Sequence, residues 1–521
     1  MKKSTRRWPR LALWALTVLF LAAGVADARA VGTQQGATVQ DTVVVQNTAT
    51  QGELTEVPAP AGRAPTSFRE TRNQIETPWT SRAVAACGLG VMVGIAWLLS
   101  ADRKRIPWRI VAWGTGLQFV FALFILRTPI GAAIFDGVNT VIVDLLNFTR
   151  QGASFLFGNL VDATVPVLPA DGSVGAPGMV AHTGALFAFS VLPTIIFFSS
   201  LMTVLYHLGV MQKVVKGMAW VMMRTMRTSG AETLSAAGNI FLGQTEAPLL
   251  VKPFLAKMTN SEIMTVMVGG FATAAGGVMA AYVGMLVGYF PDIGGHLLAG
   301  SVMAAPAALL IAKVLYPEDG EPTTRNSMKI ELASPDANVI DAAARGAGEG
   351  LTLALNVGAM LLAFVALIAV LNSLFGWASN AIHLTALLQG WGLLEAGQPL
   401  TIEVLLGWLL APLAWVMGIP WKDAPAIGSL LGVKTVLNEF VAFTQLSGLV
   451  NGGANLAPRS VIIATYALCG FANFSSIAIQ IGGIGGIAPA RRSDLARLGL
   501  KAMIGGTLAA FMTAAVAGIL L

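Results

Sequence analysis

The chain has 521 residues, of which 55% are hydrophobic and only 12% charged. A soluble domain of that length and polarity could not cover its own surface, so the composition excludes an ordinary water-soluble module and makes the lipid bilayer the default solvent. The net charge of +6 does not read as a nucleic-acid footprint, because Lys and Arg cluster in short segments beside apolar runs; no nucleic-acid partner is expected.

Along the chain, Lys2, Lys3, Arg6, Arg7 and Arg10 precede an apolar run from Leu11 to Val25, and small residues would permit cleavage after Ala28 or Ala30. Residues 1–30 therefore read as a signal peptide or an uncleaved signal anchor. Residues 31–80, rich in Gln, Thr, Ala and Pro without periodicity, predict a disordered exoplasmic tail, periplasmic in a Gram-negative host. Apolar stretches predict eight spans: Val84–Ser100, Val111–Leu126, Leu186–Leu208, Met264–Tyr289, His296–Leu315, Leu351–Leu374, Arg459–Ile484 and Met503–Leu521. The basic clusters at Arg103–Arg109, Lys213–Arg227, Arg325–Lys329 and Arg491–Arg497 then all fall on one side, with both termini outside. A multi-pass protein of the cell (inner) membrane is expected.

Three segments do not fit as ordinary spans. Ile130–Leu168 carries Asp136, Asp144, Asn147 and Arg150 among apolar residues at helical spacing and predicts an amphipathic helix at the outer interface. The segments around Glu246 and Glu439 are interrupted by Gly238, Gly243 and Pro248, and by Pro425, Gly428 and Gly432. They read as re-entrant hairpins, since irregular backbone at membrane depth is tolerated only inside protein or along a cavity. Glu318–Glu349, with the amphipathic stretch Ala337–Ala344, reads as a cytoplasmic loop. Three spans separate the hairpins, so they enter from opposite sides, and each precedes a similar tetrad, Gly270-Phe271-Ala272-Thr273 or Gly470-Phe471-Ala472-Asn473. The expected fold is an all-α polytopic membrane protein, about eight helices plus two opposed hairpins in inverted repeats. That design recurs in secondary transporters.

An intramembrane acid costs about 2.5–3.5 kcal/mol at a helix centre on insertion scales, so Glu246 and Glu439 mark function. Glu246 stands beside Gln244 and Thr245, with Asn239 shortly before; the set suits a polar planar ligand or a hard cation held through oxygens, or a polar cluster that merely joins helices. Glu439, next to Asn438, suits a vicinal diol such as ribose; the alternative is a buried pair with Lys434. Phe471, Asn473, Ser475 and Ser476 combine a stacking face with hydrogen-bonding groups, as a flat base carrying a polar sugar requires. Gly482–Gly486 predicts either an unwound helix or a small-residue packing face. In the sister repeat, Thr273, Ala274 and Val278 supply a hydroxyl, a free carbonyl and an apolar wall. Cys87 and Cys469 read as packing, Asp292 and Lys313 as interfacial, and Trp79, Trp108 and Trp391 as interface anchors. His182, His207, His296 and His383 read as interfacial or loop residues without metal-ligand spacing.

Three stretches together, 238–249, Val436–Phe443 and 466–476, resemble the concentrative nucleoside transporter family, and family-like sequence extends from about Thr183 to Leu521. The resemblance implies a homotrimer that imports nucleosides by alternating access, a mobile transport domain moving elevator-fashion against a scaffold. It places Gln244, Thr245, Glu246 (through water) and Val278 at the base. Glu439, Asn473 and Ser476 fall at the ribose, with Phe471 against the nucleoside. A sodium ion would take Asn239, the Leu242 carbonyl, Thr245, Thr273 and the Ala274 carbonyl. Sodium is the expected coupling ion and no other cofactor is expected; a proton-coupled symporter is the alternative. The implied division is scaffold and interfacial helices over 81–230, first hairpin and following helices of the transport domain over 231–317, and a cytoplasmic loop over 318–349. A scaffold helix and outer interfacial helix follow over 350–400, then second hairpin, broken helix and last span over 401–521. An intramembrane enzyme using Glu246 and Glu439 as acid and base lacks a nucleophile–histidine pair, and a passive channel would not saturate.

Overall fold

The computed structural model describes residues 77–161, 164–166, 180–182, 187–325, 336–391, 394 and 397–521, so the expected signal segment and most of the tail lie outside the described residues. The described chain is helical apart from a short antiparallel pairing of Thr164–Pro166 with Val180–His182. In chain order the helices are α1 (Trp79–Leu98), α2 (Trp108–Arg127), α3 (Pro129–Phe157), α4 (Leu192–His207), α5 (Val210–Met226), α6 (Gly230–Gly238) and α7 (Lys252–Leu255). Then come α8 (Asn260–Ala272), α9 (Gly276–Leu286), α10 (Ile293–Leu315), α11 (Val339–Ala381) and α12 (Leu384–Gly390). The last six are α13 (Ile402–Val416), α14 (Ala424–Val436), α15 (Glu439–Asn451), α16 (Pro458–Leu468), α17 (Phe474–Ile487) and α18 (Arg492–Leu520).

Among the described residues eight helical segments are long and apolar enough to cross a membrane, the expected number but a different set. Pro129–Val161 qualifies by length and apolarity, although its charges had suggested an interfacial helix. The stretch expected as one span at Arg459–Ile484 is two helices, α16 and α17, because the chain leaves helical geometry at Cys469–Asn473. The last helix starts at Arg492 rather than Met503, its charged first turns being continuous with the apolar run. At the other end, α1 begins at Trp79, just inside the expected tail. The stretch at Ala337–Ala344 is mostly the first turns of α11, whose 43 residues make about 65 Å of helix at 1.5 Å per residue. That is twice the roughly 30 Å of bilayer hydrocarbon, so α11 must tilt or project beyond it.

Burial separates inner from outer helices. In the apolar windows of α8–α9, α10 and α18, 78–89% of residues are buried, against 6–28% for α1, α2, α3, α4 and α11. Helix α11 meets α4 through a stripe of small residues, Ala342, Gly346, Gly350 and Ala354, at a spacing of four. A Cβ on Gly346 would lie 2.5 Å from Thr203 Oγ1 and one on Gly350 2.8 Å from Ile196 Cα, so the backbones approach as closely as glycine allows.

The inner part contains the duplication. Helices α6 to α10 form one copy: hairpin, broken helix α8/α9 and long helix α10. Helices α14 to α18 repeat that order. Each copy is tied where its hairpin begins. In the first, Ser229 and Thr259 start α6 and α8 with capping boxes through Glu232 and Glu262, and Ser229 Oγ donates to Glu262 Oε1 at 2.5 Å. In the second, Asp423 Oδ2 accepts from Ala457 N at 3.0 Å and Ser460 Oγ at 2.5 Å. Lys313 is not interfacial as expected. It is 3% exposed and pairs with Glu232 at 2.7 Å and Glu318 at 3.0 Å, closing the polar network of the first copy. Asp292 is buried too, and so is His296, which meets the Tyr466 hydroxyl at 2.9 Å and Phe135 edge-on.

Candidate functional site

The first hairpin is a helix that stops early. Helix α6 ends at Gly238, where an added Cβ would lie 2.6 Å from Leu250 Cδ1, and residues 239–246 run as turns to a 3-10 segment at Ala247–Val251. Pro248 has no amide hydrogen and cannot resume α-helix bonding there. The loop lies against the break between α8 and α9. Phe241 O accepts from Gly276 N at 3.0 Å, and a Cβ on Gly243 would touch the Ala275 methyl at 3.6 Å. These contacts join the loop that carries Asn239 and Leu242 to the break that carries Thr273 and Ala274. Asn239 is fully buried; its Nδ2 donates to Ser235 O at 3.0 Å, while its Oδ1 receives no hydrogen bond among the described residues. Thr273 donates to Gly269 O at 3.0 Å, which leaves its oxygen lone pairs as acceptors. A buried carbonyl oxygen without a protein donor is costly unless a water or a cation meets it, and neutral amide, hydroxyl and backbone oxygens are the ligand types a hard monovalent ion takes.

The second hairpin breaks over two residues only. Helix α14 ends at Val436, and Asn438 caps α15 by accepting from Val441 N at 2.9 Å, which makes Glu439 the first residue of a helix. A carboxylate at a helix N-terminus is favoured by the aligned peptide dipoles. Both of its oxygens are engaged: Oε1 accepts from the Tyr282 hydroxyl at 2.9 Å and Oε2 from Asn473 Nδ2 at 3.0 Å. Tyr282 comes from the first copy, on α9, and is held by stacking on Phe443 at 4.4 Å. Lys434 interacts with Glu439 through charge alone, with no hydrogen bond between them. Its buried ammonium donates to Ala467 O at 2.9 Å and Cys469 O at 3.3 Å, satisfying carbonyls that the break at the end of α16 leaves without helical donors.

The two breaks touch. Gly470 has φ +107°, a conformation L side chains rarely adopt, and an added Cβ would lie 2.7 Å from the Ala272 and Phe271 carbonyl oxygens. The tetrads singled out in the sequence therefore cross at one point. Around it Gln244 Nε2 donates to Ser476 Oγ at 3.1 Å, and Gln480 Nε2 donates to Gln244 Oε1 and to Met267 O, both at 3.1 Å. Asn473 Oδ1 caps α17 through Ser476 N at 2.8 Å.

The structure thus groups the expected residues differently from the sequence reading. Asn473 bonds Glu439, while Ser476, held to Asn473 through its amide, also bonds Gln244 and so joins the two expected groups. Thr245 packs its methyl where a Cβ on Gly483 would be 2.6 Å away, so that glycine serves close packing and α17 continues unbroken to Ile487. Val278 is buried, Phe471 half-buried, and Glu246 exposed at the loop end with Oε2 accepting from Gly243 N at 3.3 Å. Tyr282, Gln480 and the helix-capping role of Lys434 were not foreseen. Chemically, one end of the site offers an amide and a carboxylate beside a candidate ion site, and the other a carboxylate with two donors aimed at it.

Comparison with known proteins agrees with this architecture. Residues 87–160 and 296–518 match the models of the N-terminal and C-terminal parts of the Na+-dependent nucleoside transporters, and residues 188–288 match a nucleoside-recognition gate domain. The chain is 40% identical over 450 residues to sodium/nucleoside cotransporter 1 of Mus musculus, covering 84% of this chain but 63% of that protein, so it spans under two thirds of that relative. It is 41% identical over 435 residues to an uncharacterized transporter of Haemophilus influenzae, covering 83% of this chain and 96% of that one. A solved structure of CNTnw in an inward-facing substrate-bound state superposes with a TM-score of 0.72 at 42% identity, covering 84% of this chain and 97% of CNTnw. An outward-facing CNTnw variant gives 0.74 at 41% identity, covering 84% and 98%. With eight candidate spans and two broken, inverted halves, this chain is a multi-pass membrane protein that belongs to the Na+-dependent nucleoside transporter family.

Proposed function

We propose that this protein is a sodium–nucleoside symporter of the cell (inner) membrane. The observation that supports the reading is the pair of unlike half-sites at the crossed breaks: Gln244 for the base, and Glu439 with Asn473 and Ser476 for the ribose hydroxyls, the two linked where Gln244 meets Ser476. In the loaded state the diol replaces a protein donor on the Glu439 carboxylate, Phe471 covers the ring, Val278 and Thr245 wall the base, and Glu246 reaches it through water. Sodium binds between the first hairpin loop and the α8/α9 break, through Asn239, Thr245 and Thr273 and the carbonyls of Leu242 and Ala274. Ordering of that loop by the ion completes the base side, so each ligand raises affinity for the other by the same factor.

The inner helices with both hairpins then travel as the transport domain of an alternating-access, elevator-type cycle. The outer helices form the scaffold, through which three copies assemble. The division is the one set out above, 81–230 and 350–400 as scaffold, 231–317 and 401–521 as mobile. The relatives are named as transporters, which favours transport over an enzymatic reading.

The test is uridine uptake into proteoliposomes under imposed gradients. Inward sodium should drive saturable accumulation and counterflow. Uptake driven by protons and indifferent to sodium would reassign the coupling ion; non-saturable flux would make the protein a pore.

A further inference from the structure

Gln480 sits on α17 about one turn beyond Ser476, fully buried, and has no place in the contact set proposed above. Its hydrogen bonds nevertheless end on that set. A backbone carbonyl has lone pairs and no hydrogen, so Met267 O can only accept, and this decides which end of the Gln480 amide faces it. The same NH2 group has a second hydrogen, which goes to Gln244 Oε1. The Gln244 amide is thereby oriented in turn: its oxygen is taken on the Gln480 side and its NH2 faces Ser476, giving one hydrogen to Ser476 Oγ. One fixed acceptor in α8 thus dictates the direction of two successive amides, and the last of them faces the ligand.

We propose that Gln480 is the positioning residue that sets base preference: it fixes the direction of the Gln244 amide so that a nucleobase meets a hydrogen-bond donor there, not an acceptor. The inference rests on the nucleoside reading of the site. A packing glutamine would need only the bond between α17 and α8; the bond to Gln244 gives Gln480 a reach into recognition. The second hydrogen of the Gln244 NH2 then selects bases carrying a ring carbonyl over bases carrying an exocyclic amine at the same position.

The experiment measures KM in proteoliposomes for two pairs differing in that one group, uridine against cytidine and inosine against adenosine. The wild type should favour the carbonyl member of each pair. Gln480→Met keeps the length but lets the Gln244 amide turn, and the KM ratio should move about threefold towards the amino member, a fraction of one hydrogen bond. Gln480→Glu offers an acceptor to the Gln244 NH2 and turns its oxygen outward, and the ratio should move about tenfold in the same direction. The ratio of uridine to 2′-deoxyuridine, which reports the ribose end, should stay fixed in both.

Base ratios unmoved in variants that still take up uridine would overturn the proposal, as would base and ribose ratios drifting together, which is the mark of a loosened fold. If neither variant folds, the wild-type ratios still decide: no preference, or preference for the amino member in both pairs, overturns it. Failure of the underlying reading looks different, because then the wild type takes up no nucleoside at all.

Discussion

The two hairpins occupy equivalent places in an inverted duplication, yet they present opposite kinds of chemistry. The first ends in an irregular loop, residues 239–246, which carries amide and hydroxyl side chains and whose Phe241 carbonyl accepts from Gly276 N at the break beside it. The second is interrupted for only two residues and presents a helix N-terminus with Glu439 at its head. The loop gathers neutral oxygens, as a hard monovalent ion requires; the helix end stabilises a formal negative charge that can accept a pair of hydroxyls. At the breaks themselves the second copy has Lys434 bonded to the carbonyls, whereas the first leaves the buried Asn239 Oδ1 without a donor among the described residues. Duplication has kept the backbone breaks and let the side chains around them diverge, as the proposed two-ended substrate requires.

The contrast can be broken most forcefully at its acidic end. Glu439→Gln removes the ionised acceptor and leaves the Tyr282 and Asn473 donors facing a weaker partner; with charged hydrogen bonds near 1.5–3 kcal/mol, uridine KM should rise about a hundredfold. An unchanged KM would take the carboxylate out of substrate binding and return the two hairpins to equivalence. At the other hairpin, Asn239→Leu keeps volume while deleting the unmatched oxygen. Sodium for half-maximal uptake should rise about tenfold, the value of one ligand interaction, with uridine KM at saturating sodium little altered. Sodium dependence as steep as before would show that the loop is no ion site.

The smallest effect is expected at the link between the copies. Tyr282→Phe keeps the stack on Phe443 but loses the hydroxyl on Glu439, so KM should rise about fivefold, roughly the worth of one hydrogen bond. A loss as large as that of Glu439→Gln would mean that the tyrosine, and not the carboxylate, carries the ribose end.

Much of this was legible in the sequence because membrane physics leaves few reasons to bury a carboxylate or to interrupt an apolar run. Glu246, Glu439 and the crossing tetrads stand out on those grounds alone. What could not be read is what depends on which side chain reaches which. Tyr282 is a single hydroxyl within an otherwise apolar helix, and only the approach of α9 to α15 gives it a carboxylate to meet. Gln480 lies in a run of isoleucines and glycines, and its meaning comes from Gln244, 236 positions away.

Sequence proximity pairs Lys434 with Glu439, which it does feel electrostatically, but the carbonyls it hydrogen-bonds lie more than thirty residues on. Ser476 reads from sequence as a companion of Asn473, and only the fold shows that it also meets Gln244, 232 positions away. Span limits were least legible where charge and apolar sequence share one helix, as at Arg492 and over Pro129–Val161.

Where Gly470 lays a bare Cα against the Ala272 carbonyl, backbone meets backbone with no side chain between the two breaks. With the proposed substrate reading, the two half-sites act like the jaws of a caliper locked at one opening. Such a gauge rejects a ligand by length: a molecule with the right ring and the right diol, but too short or too long between them, fails at one jaw even though it satisfies the other. Loosening the lock by repacking the crossing would trade that dimensional selectivity for tolerance, without altering any group that touches the ligand.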